Sequence, residues 1–386
     1  MSGPGGATPK SITMLLSRGF FPDPRVHKEA AALSQCGHRV TVLAWDRQCR
    51  LPQHEALDGF AVERLRLRAA LGKGLAQLHR WLWFWYRLAA LLLARECDVI
   101  HAHDLDTLPV GWLAAKLRRR KLIFDAHEPN YYAYWPRWQY PMVIAARMLE
   151  TLLARGADHV IVTNPFQHDR YSRMGVRNVT IVANYPTASM VVASSPPPLD
   201  PSGEIVLGRV GAVYEDTGIE ETVDAVRLLQ ADGYNIKLLL AGRVIDSYQE
   251  RLAHLLQPLA GKVEVTGAFS HDQIASIYRR FHISVQPYRP TAWFRDITPT
   301  KFFESMAHGV PVIVTDIGGI GEIVREVGCG LVLPAVTPEA ISEAVKHLVK
   351  APQALHTMAE RGMAAVRQTY NWEQMVLRLR DVYESL

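Results

Sequence analysis

Cysteine is scarce in this 386-residue chain, and Cys36, Cys49, Cys97 and Cys329 stand far apart, with no CxxC pair and no Cys/His cluster. That spacing argues against a disulfide framework and a cysteine zinc site, and it fits a reducing cytosol. Long apolar runs are also missing. A membrane span needs about 20 apolar residues; the stretch Trp81 to Ala94 is shorter and carries Arg87 inside it. The N-terminal MSGPGGATPK has no apolar core, so no signal peptide is expected. Between Gly19 and Arg25 a single glycine stands where a dinucleotide fold would place GxGxxG, which counts against NAD. Acid is under-represented in the first half only: up to Pro186, 25 Lys and Arg face 15 Asp and Glu, whereas beyond it 18 face 23. A basic first half suits a membrane face, a phosphorylated lipid or nucleic acid, or is simply a solvated basic face.

What is present is strand–helix alternation, repeated. Ser11 to Leu16 reads as a strand, Val26 to Gln35 as a helix ended by Gly37, and Arg39 to Trp45 as a second strand. Short apolar strands recur at Val99, Leu122, His159 and Val179, separated by helical stretches, so the sheet is expected to be parallel. Residues 187 to 203 turn abruptly to Ser, Pro and Gly and read as a linker. A second alternation starts at Glu204 and continues through strands at Lys237, Val263, Ile283, Val312 and Gly330. The length favours two domains. The expected division is 1–187, a linker over 188–203, 204–365, and a C-terminal amphipathic helix over 366–386.

The segment Asp296 to Val324, DITPTKFFESMAHGVPVIVTDIGGIGEIV, is the most informative. Pro299 suits the first turn of a helix, Gly309 its end, and Val312 to Thr315 a strand covered on both faces. Lys301 beside a helix N-terminus makes a seat for phosphate, and Glu304, one turn deeper, can accept hydrogen bonds from sugar hydroxyls. Elsewhere, His127 closes an apolar strand, where open α/β sheets bind ligands. His101 and His103 share one strand face, and with Asp104 and Asp106 they look like a metal cluster. Arg25 and Lys28 lie a turn apart and can hold an anionic acceptor or serve as surface charges.

These residues carry a resemblance. Asp296, seven residues, Glu304, then Ser305-Met306-Ala307-His308-Gly309-Val310-Pro311-Val312 resembles the nucleotide-sugar site of retaining glycosyltransferases of family four (glycosyl transferases group 1), with Asp296 in place of the usual Glu. The likeness runs from GHRVTVL near residue 40 to the C-terminal helix. It implies an α/β, GT-B fold: two Rossmann-like parallel-sheet domains facing across a cleft, with the last helix crossing back onto the first domain.

The resemblance further implies a hexosyltransferase that needs no metal or other cofactor. It would move a sugar from a nucleotide diphosphate to a glycan or lipid-linked acceptor, as in polysaccharide biosynthesis. His127, Asp296 and Glu304 take the catalytic positions. Donor contacts fall to Gly211, Thr217, Gly242, Arg243, Thr298, Pro299, Thr300, Lys301 and Glu304. Gly19, Arg25, His103 and Asp104 lie on the acceptor side, and the HAHDLD segment shapes a loop without metal. One departure stands out. Gly211 to Gly218 matches the family's Gly-Arg-x4-Lys-Gly turn, but Ala212 and Thr217 replace the two cations that neutralise the leaving diphosphate. Either Lys301, Arg243 or Arg295 supplies the charge, or the enzyme is impaired or does something else. Alternatives are a GT-B sugar-nucleotide epimerase and a catalytically silent binding subunit. Expected partners are a nucleotide sugar, the acceptor and peripheral membrane contact through the basic first domain, without nucleic acid. The expected location is cytoplasmic, at the inner membrane face.

Overall fold

A computed structural model describes residues 8–21, 23–69, 78–127, 140–191 and 199–386. Its contacts divide the chain into two units, Met1–Ala183 with Met375–Leu386, and Asn184–Gln374.

The first unit runs β1 (Ser11–Leu16), α1 (Pro24–Gln35), β2 (Arg39–Asp46), β3 (His54–Leu57), β4 (Phe60–Arg66), α2 (Leu78–Ala94), β5 (Val99–His103), α3 (Asp104–Arg118), β6 (Lys121–Ala126), α4 (Tyr140–Arg155), β7 (His159–Val162), α5 (Pro165–Arg173) and β8 (Val179–Ile181). The strands form one sheet in the order β3-β4-β2-β1-β5-β6-β7-β8. Asp23 caps α1 by accepting from Val26 N at 3.2 Å, and Pro24 follows at the first helical position, which needs no amide donor.

The sheet is parallel as expected except at one edge, where β3 and β4 pair antiparallel, Leu57 opposite Phe60. Asp58 and Gly59 both hold positive φ, 42° and 87°, in the tight turn between them. That Asp-Gly pair is a hairpin signal the strand–helix reading passed over. The core is the apolar layer of β1, β2, β5 and β6 packed against Phe84 and Leu88 of α2, Leu108 and Ala114 of α3, and Leu153 of α4.

The second unit runs β9 (Ile205–Val210), α6 (Ile219–Ala231), β10 (Ile236–Ala241), α7 (Gln249–Leu256), β11 (Val263–Gly267), α8 (Ile274–Tyr278), β12 (Ile283–Gln286), α9 (Ala292–Arg295), α10 (Thr300–Ala307), β13 (Val312–Thr315), α11 (Ile320–Val327), β14 (Gly330–Leu333), α12 (Pro338–Val349) and α13 (Pro352–Gln368). The last helix, α14, is Trp372–Glu384. Its sheet, β11-β10-β9-β12-β13-β14, is parallel throughout and reverses its winding direction between β9 and β12. Ligands of such sheets bind at the carboxyl ends of the strands on either side of that reversal. Every side chain of β12 and β13 is buried; β13 reads as an apolar run for that reason, whereas β12 buries Ser284 and Gln286, which bond to each other and to Ser305.

Candidate active site

In the second unit two glycines let neighbouring turns touch. Gly211 follows β9 with φ 123°, and Gly242 follows β10 with φ 152°. A Cβ on Gly242 would stand 2.0 Å from the Gly211 carbonyl oxygen, so only glycine fits. The side chain of Lys301 lies against this turn, 3.6 Å from where a Cβ on Gly211 would be.

Pro299 caps α10, and the hydroxyl of Thr298 donates to the Gly318 carbonyl at 2.7 Å. A Cβ on Gly318 would come within 1.8 Å of the Ile297 carbonyl oxygen, so the loop entering α10 and the glycine turn before α11 pack backbone on backbone. Thr300 and Lys301 open the helix with their amides at its positive end. Glu304 is 13% exposed, and Lys301 Nζ donates to both of its carboxylate oxygens, at 2.7 and 2.9 Å. Asp296 ends α9 and is half-buried.

The cations foreseen for the diphosphate are placed unevenly. Lys301 is at the glycine turn but tied to Glu304. Arg243 is 69% exposed and paired with Asp246 at 3.2 Å. The side chain of Arg295 lies outside the described residues. Thr217 is fully buried and serves its own turn, accepting from Tyr214 N at 3.4 Å; Ala212 is exposed. Reading the sequence missed Arg209. It lies next to the last residue of β9, with its guanidinium carbon 4.7 Å from the Tyr288 ring centroid. Its Nε and Nη1 are buried without a partner. The available signal was a lone charge in the apolar strand IVLGRV, just before Gly211.

The first unit gathers a different group at the carboxyl ends of β1, β5 and β6. Arg25 is buried; its Nη2 donates to Asp125 at 2.9 Å and lies 3.0 Å from a Glu29 oxygen, and its Nη1 donates to the Val182 carbonyl at 2.7 Å. Rather than facing an acceptor, Arg25 is therefore committed to this cluster. His127 Nε2 lies 2.9 Å from both Asp125 Oδ2 and His103 Nδ1. The amide of His127 donates to Asp104 Oδ1 at 3.3 Å, and Arg18 holds the other oxygen of Asp104 at 3.2 Å. Asp104 has φ 61°, a conformation Asp tolerates better than most residues. His101 Nδ1 meets the Tyr383 hydroxyl at 2.8 Å. Gly19 stands apart from the cluster; its carbonyl accepts from Arg64 Nε at 2.9 Å.

Glu29, His101, His103 and Asp125 each turn one ligand atom toward a common point, all within 4.8 Å of one another. The Arg25 guanidinium reaches two of the four, Asp125 at 2.9 Å and Glu29 at 3.0 Å. Asp104 and Asp106 instead go to Arg18 and to Ser17, the latter at 2.5 Å.

These contacts set the protonation states. Burial opposes charge on His127, but Asp125 and Asp104 outweigh it and push its pKa up to about 9. Burial, joined by the His101 and His127 rings, holds His103 well below the usual histidine range, so it is neutral. Burial and then the Asp125 charge push the Glu29 carboxyl up to about 8. Asp125 stays well below the usual carboxylate range: burial favours its protonation, but Arg25 and His127 prevail. His127, 8% exposed, is thus a fixed imidazolium at the rim of a buried network, able to donate to a ligand oxygen.

Comparison with known proteins identifies the class. Residues 204–351 match the family model for glycosyl transferases group 1, and residues 22–186 match that for a glycosyl transferase 4-like domain. The chain belongs to the group 1 glycosyltransferases and is an enzyme of that family. It is 28% identical over 177 residues to an uncharacterized glycosyltransferase of Methanocaldococcus jannaschii, a match covering 46% of this chain and 47% of that protein, so the chain spans about half of that relative. It is 21% identical to the gpi3 subunit of the Schizosaccharomyces pombe phosphatidylinositol N-acetylglucosaminyltransferase, over 96% of this chain and 80% of that one. Sucrose-phosphate synthase from Thermosynechococcus elongatus superposes with a TM-score of 0.80 at 21% identity, covering 97% of this chain and 98% of that one. Anabaena HepE in complex with UDP-glucose superposes with a TM-score of 0.72 at 17% identity, covering 97% and 100%. The fold is GT-B.

Proposed function

We propose that this enzyme is a retaining, metal-independent hexosyltransferase using a nucleotide-diphosphate sugar and a glycan or lipid-linked acceptor. The observation that carries the reading is the Lys301–Glu304 pair at the start of α10, set against the Gly211 turn. Glu304 accepts the ribose hydroxyls. The amides of Thr300 and Lys301 hold the diphosphate at the positive helix end, and Asp296 takes hydroxyls of the donor sugar. Lys301 is released from Glu304 when the ribose engages the carboxylate, and it then turns to the phosphate. With Ala212 and Thr217 uncharged, Arg209, two residues before Gly211 and over the Tyr288 ring, is assigned the second positive charge. The imidazolium of His127, on the first unit, is assigned to a hydroxyl of the transferred sugar.

Among the described residues no side chain is arranged as a nucleophile with a base, and the reading is front-face transfer. The bond from the anomeric carbon to the diphosphate oxygen breaks, the acceptor oxygen bonds to that carbon on the same face, and the leaving phosphate oxygen takes the acceptor's proton. A lipid-linked acceptor is supported by the phosphatidylinositol named for the yeast relative, and a UDP-type donor by the UDP-glucose named for HepE.

The test is thermal shift of the purified protein against UDP, GDP, ADP, dTDP and CMP, with and without magnesium. Ligand that binds only the folded state raises the midpoint by mass action. A magnesium-independent shift with one diphosphate, lost in Glu304→Gln, is expected. A shift that requires magnesium would overturn the metal-independent reading, and a shift unchanged in Glu304→Gln would remove the proposed ribose contact.

A further inference from the structure

The outer surface of α2, α3 and α4 has no role in either site. Phe84, Leu88 and Leu92 of α2 face the core, yet the opposite side of the same helix shows Leu82, Trp83 and Tyr86 to solvent, Tyr86 at 62% exposure. A helix that is apolar all round is normally covered all round. The neighbouring helices continue the surface. On α3, Leu113 and Leu117 are exposed, and on α4, Met148 and Leu152 are, Met148 at 68%. α2 packs on α3, α3 packs on α4, and all three rest on one core, so their outward faces lie side by side. Isolated exposed leucines are ordinary, but a contiguous apolar face across three helices marks a contact surface.

Charge chooses the occupant. α2 contains no acid at all. The acids of α3 point inward, Asp104 to Arg18 and Asp106 to Ser17. The one acid of α4, Glu150, is buried and bound by Arg170 and by the Tyr171 hydroxyl at 2.7 Å. The charges left on the outer face are cations, among them Arg87, Lys116 and Arg118. Pairing with a second copy would set this basic face against itself, because a two-fold interface is self-complementary. A bilayer with anionic headgroups meets both features: Trp and Tyr settle at the headgroup level, leucines reach the acyl boundary and cations meet phosphate. No helix among the described residues is long and apolar enough to span, so the contact is lateral.

We propose that the α2–α3–α4 face of the first unit docks flat on an anionic phospholipid bilayer, with Leu82, Trp83 and Tyr86 entering the interfacial layer. The proposal does not depend on the nucleotide site, which shares none of these residues. The full chain is sedimented with phosphatidylcholine vesicles, with and without phosphatidylglycerol. Binding is expected only with phosphatidylglycerol and should fall steeply with salt. The triple variant Leu82→Ser/Trp83→Ser/Tyr86→Ser should lower partitioning at least about tenfold, and Arg87→Gln/Lys116→Gln should lower it by a similar factor. Met148→Ser/Leu152→Ser on another helix gives an independent variant should the triple variant unfold. The nucleotide thermal shift stays unchanged in all of them. Absence of vesicle binding, binding insensitive to every variant, or a dimer in sedimentation velocity that the same variants dissolve would each overturn the proposal.

Discussion

Replacing Asp125 by Asn tests the electrostatic account of the buried network, because Asp125 is the carboxylate that Arg25, His103 and His127 all approach. Asn keeps the size and loses the charge. In the native protein His127 is pushed from 6.5 to about 9, with Asp125 the foremost group opposing burial. At 1.36 kcal/mol per pKa unit, that elevation represents about 3 kcal/mol favouring the charged ring. Its sign is definite: a raised histidine pKa contributes stability that is complete below pH 6.5 and is lost as pH rises through about 9. The raised Glu29 carboxyl acts in the same direction, complete below 4.5 and lost through about 8.

In Asp125→Asn, burial acts on His127 without the Asp125 charge, and the ring should titrate below its native value, with Asp104 and the ionised Glu29 still opposing burial. Arg25 also loses the carboxylate charge and one of its two contacts at 2.9 and 3.2 Å, although Glu29 is then free to ionise in compensation. Removing one partner of a buried pair costs about 3–5 kcal/mol, and the Glu29 response places the expectation near the lower figure. Guanidinium melts at pH 7 should show that loss, and the imidazole resonances of His127 followed by NMR against pH should show the lowered pKa. If the native ring titrates near 6.5, or the variant melts within about 1 kcal/mol of the native protein, the network does not hold His127 as a cation. A deficit of that size is well above the error of such melts.

Glu304→Gln should weaken nucleotide-diphosphate binding by about 10- to 100-fold, the worth of a hydrogen bond to a charged group, read by calorimetry; unchanged affinity removes Glu304 from the site. Arg209→Met retains the bulk under Tyr288 and should leave the melting temperature close to native while diphosphate binding falls about tenfold or more and nucleoside binding holds. Equal losses for both ligands would make Arg209 structural. Gly242→Ala forces a methyl onto the Gly211 carbonyl at a backbone angle alanine avoids; a loss of about 2 kcal/mol or more is expected from chemical denaturation, and near-native stability would mean the two turns are not in contact. Native stability should decline from neutral pH to pH 9, and Asp125→Asn should flatten that decline.

Much of the site in the second unit was legible because it is local. Glycine at a positive-φ turn, a lysine and a glutamate one turn apart, and a buried strand flanked by Gly309 and Pro311 are neighbours in the chain, and periodicity and capping act over that range. The hairpin of β3 and β4 was also local, written in Asp58-Gly59, but it was masked by an expectation of strand–helix alternation. Distance along the chain hid the rest. Arg25 reads as a candidate anion ligand until Asp125, a hundred residues on, proves to be its counter-ion. Arg209 reads as a strand residue until Tyr288 stacks on it. Lys301 and Glu304 were recognised separately, whereas their mutual bond depends on rotamers that no spacing specifies.

The sequence by itself determined the family, the alternation of strands and helices and the composition of the glycine turns, because local backbone preferences and apolar periodicity are short-range and additive. Only the tertiary structure decided which acids neutralise which bases, that His127 is cationic while His103 beside it is neutral, and that three helices leave a basic, acid-free apolar face uncovered. Those outcomes depend on burial and on charges brought within a few ångströms by packing, and both quantities exist only once the chain has folded.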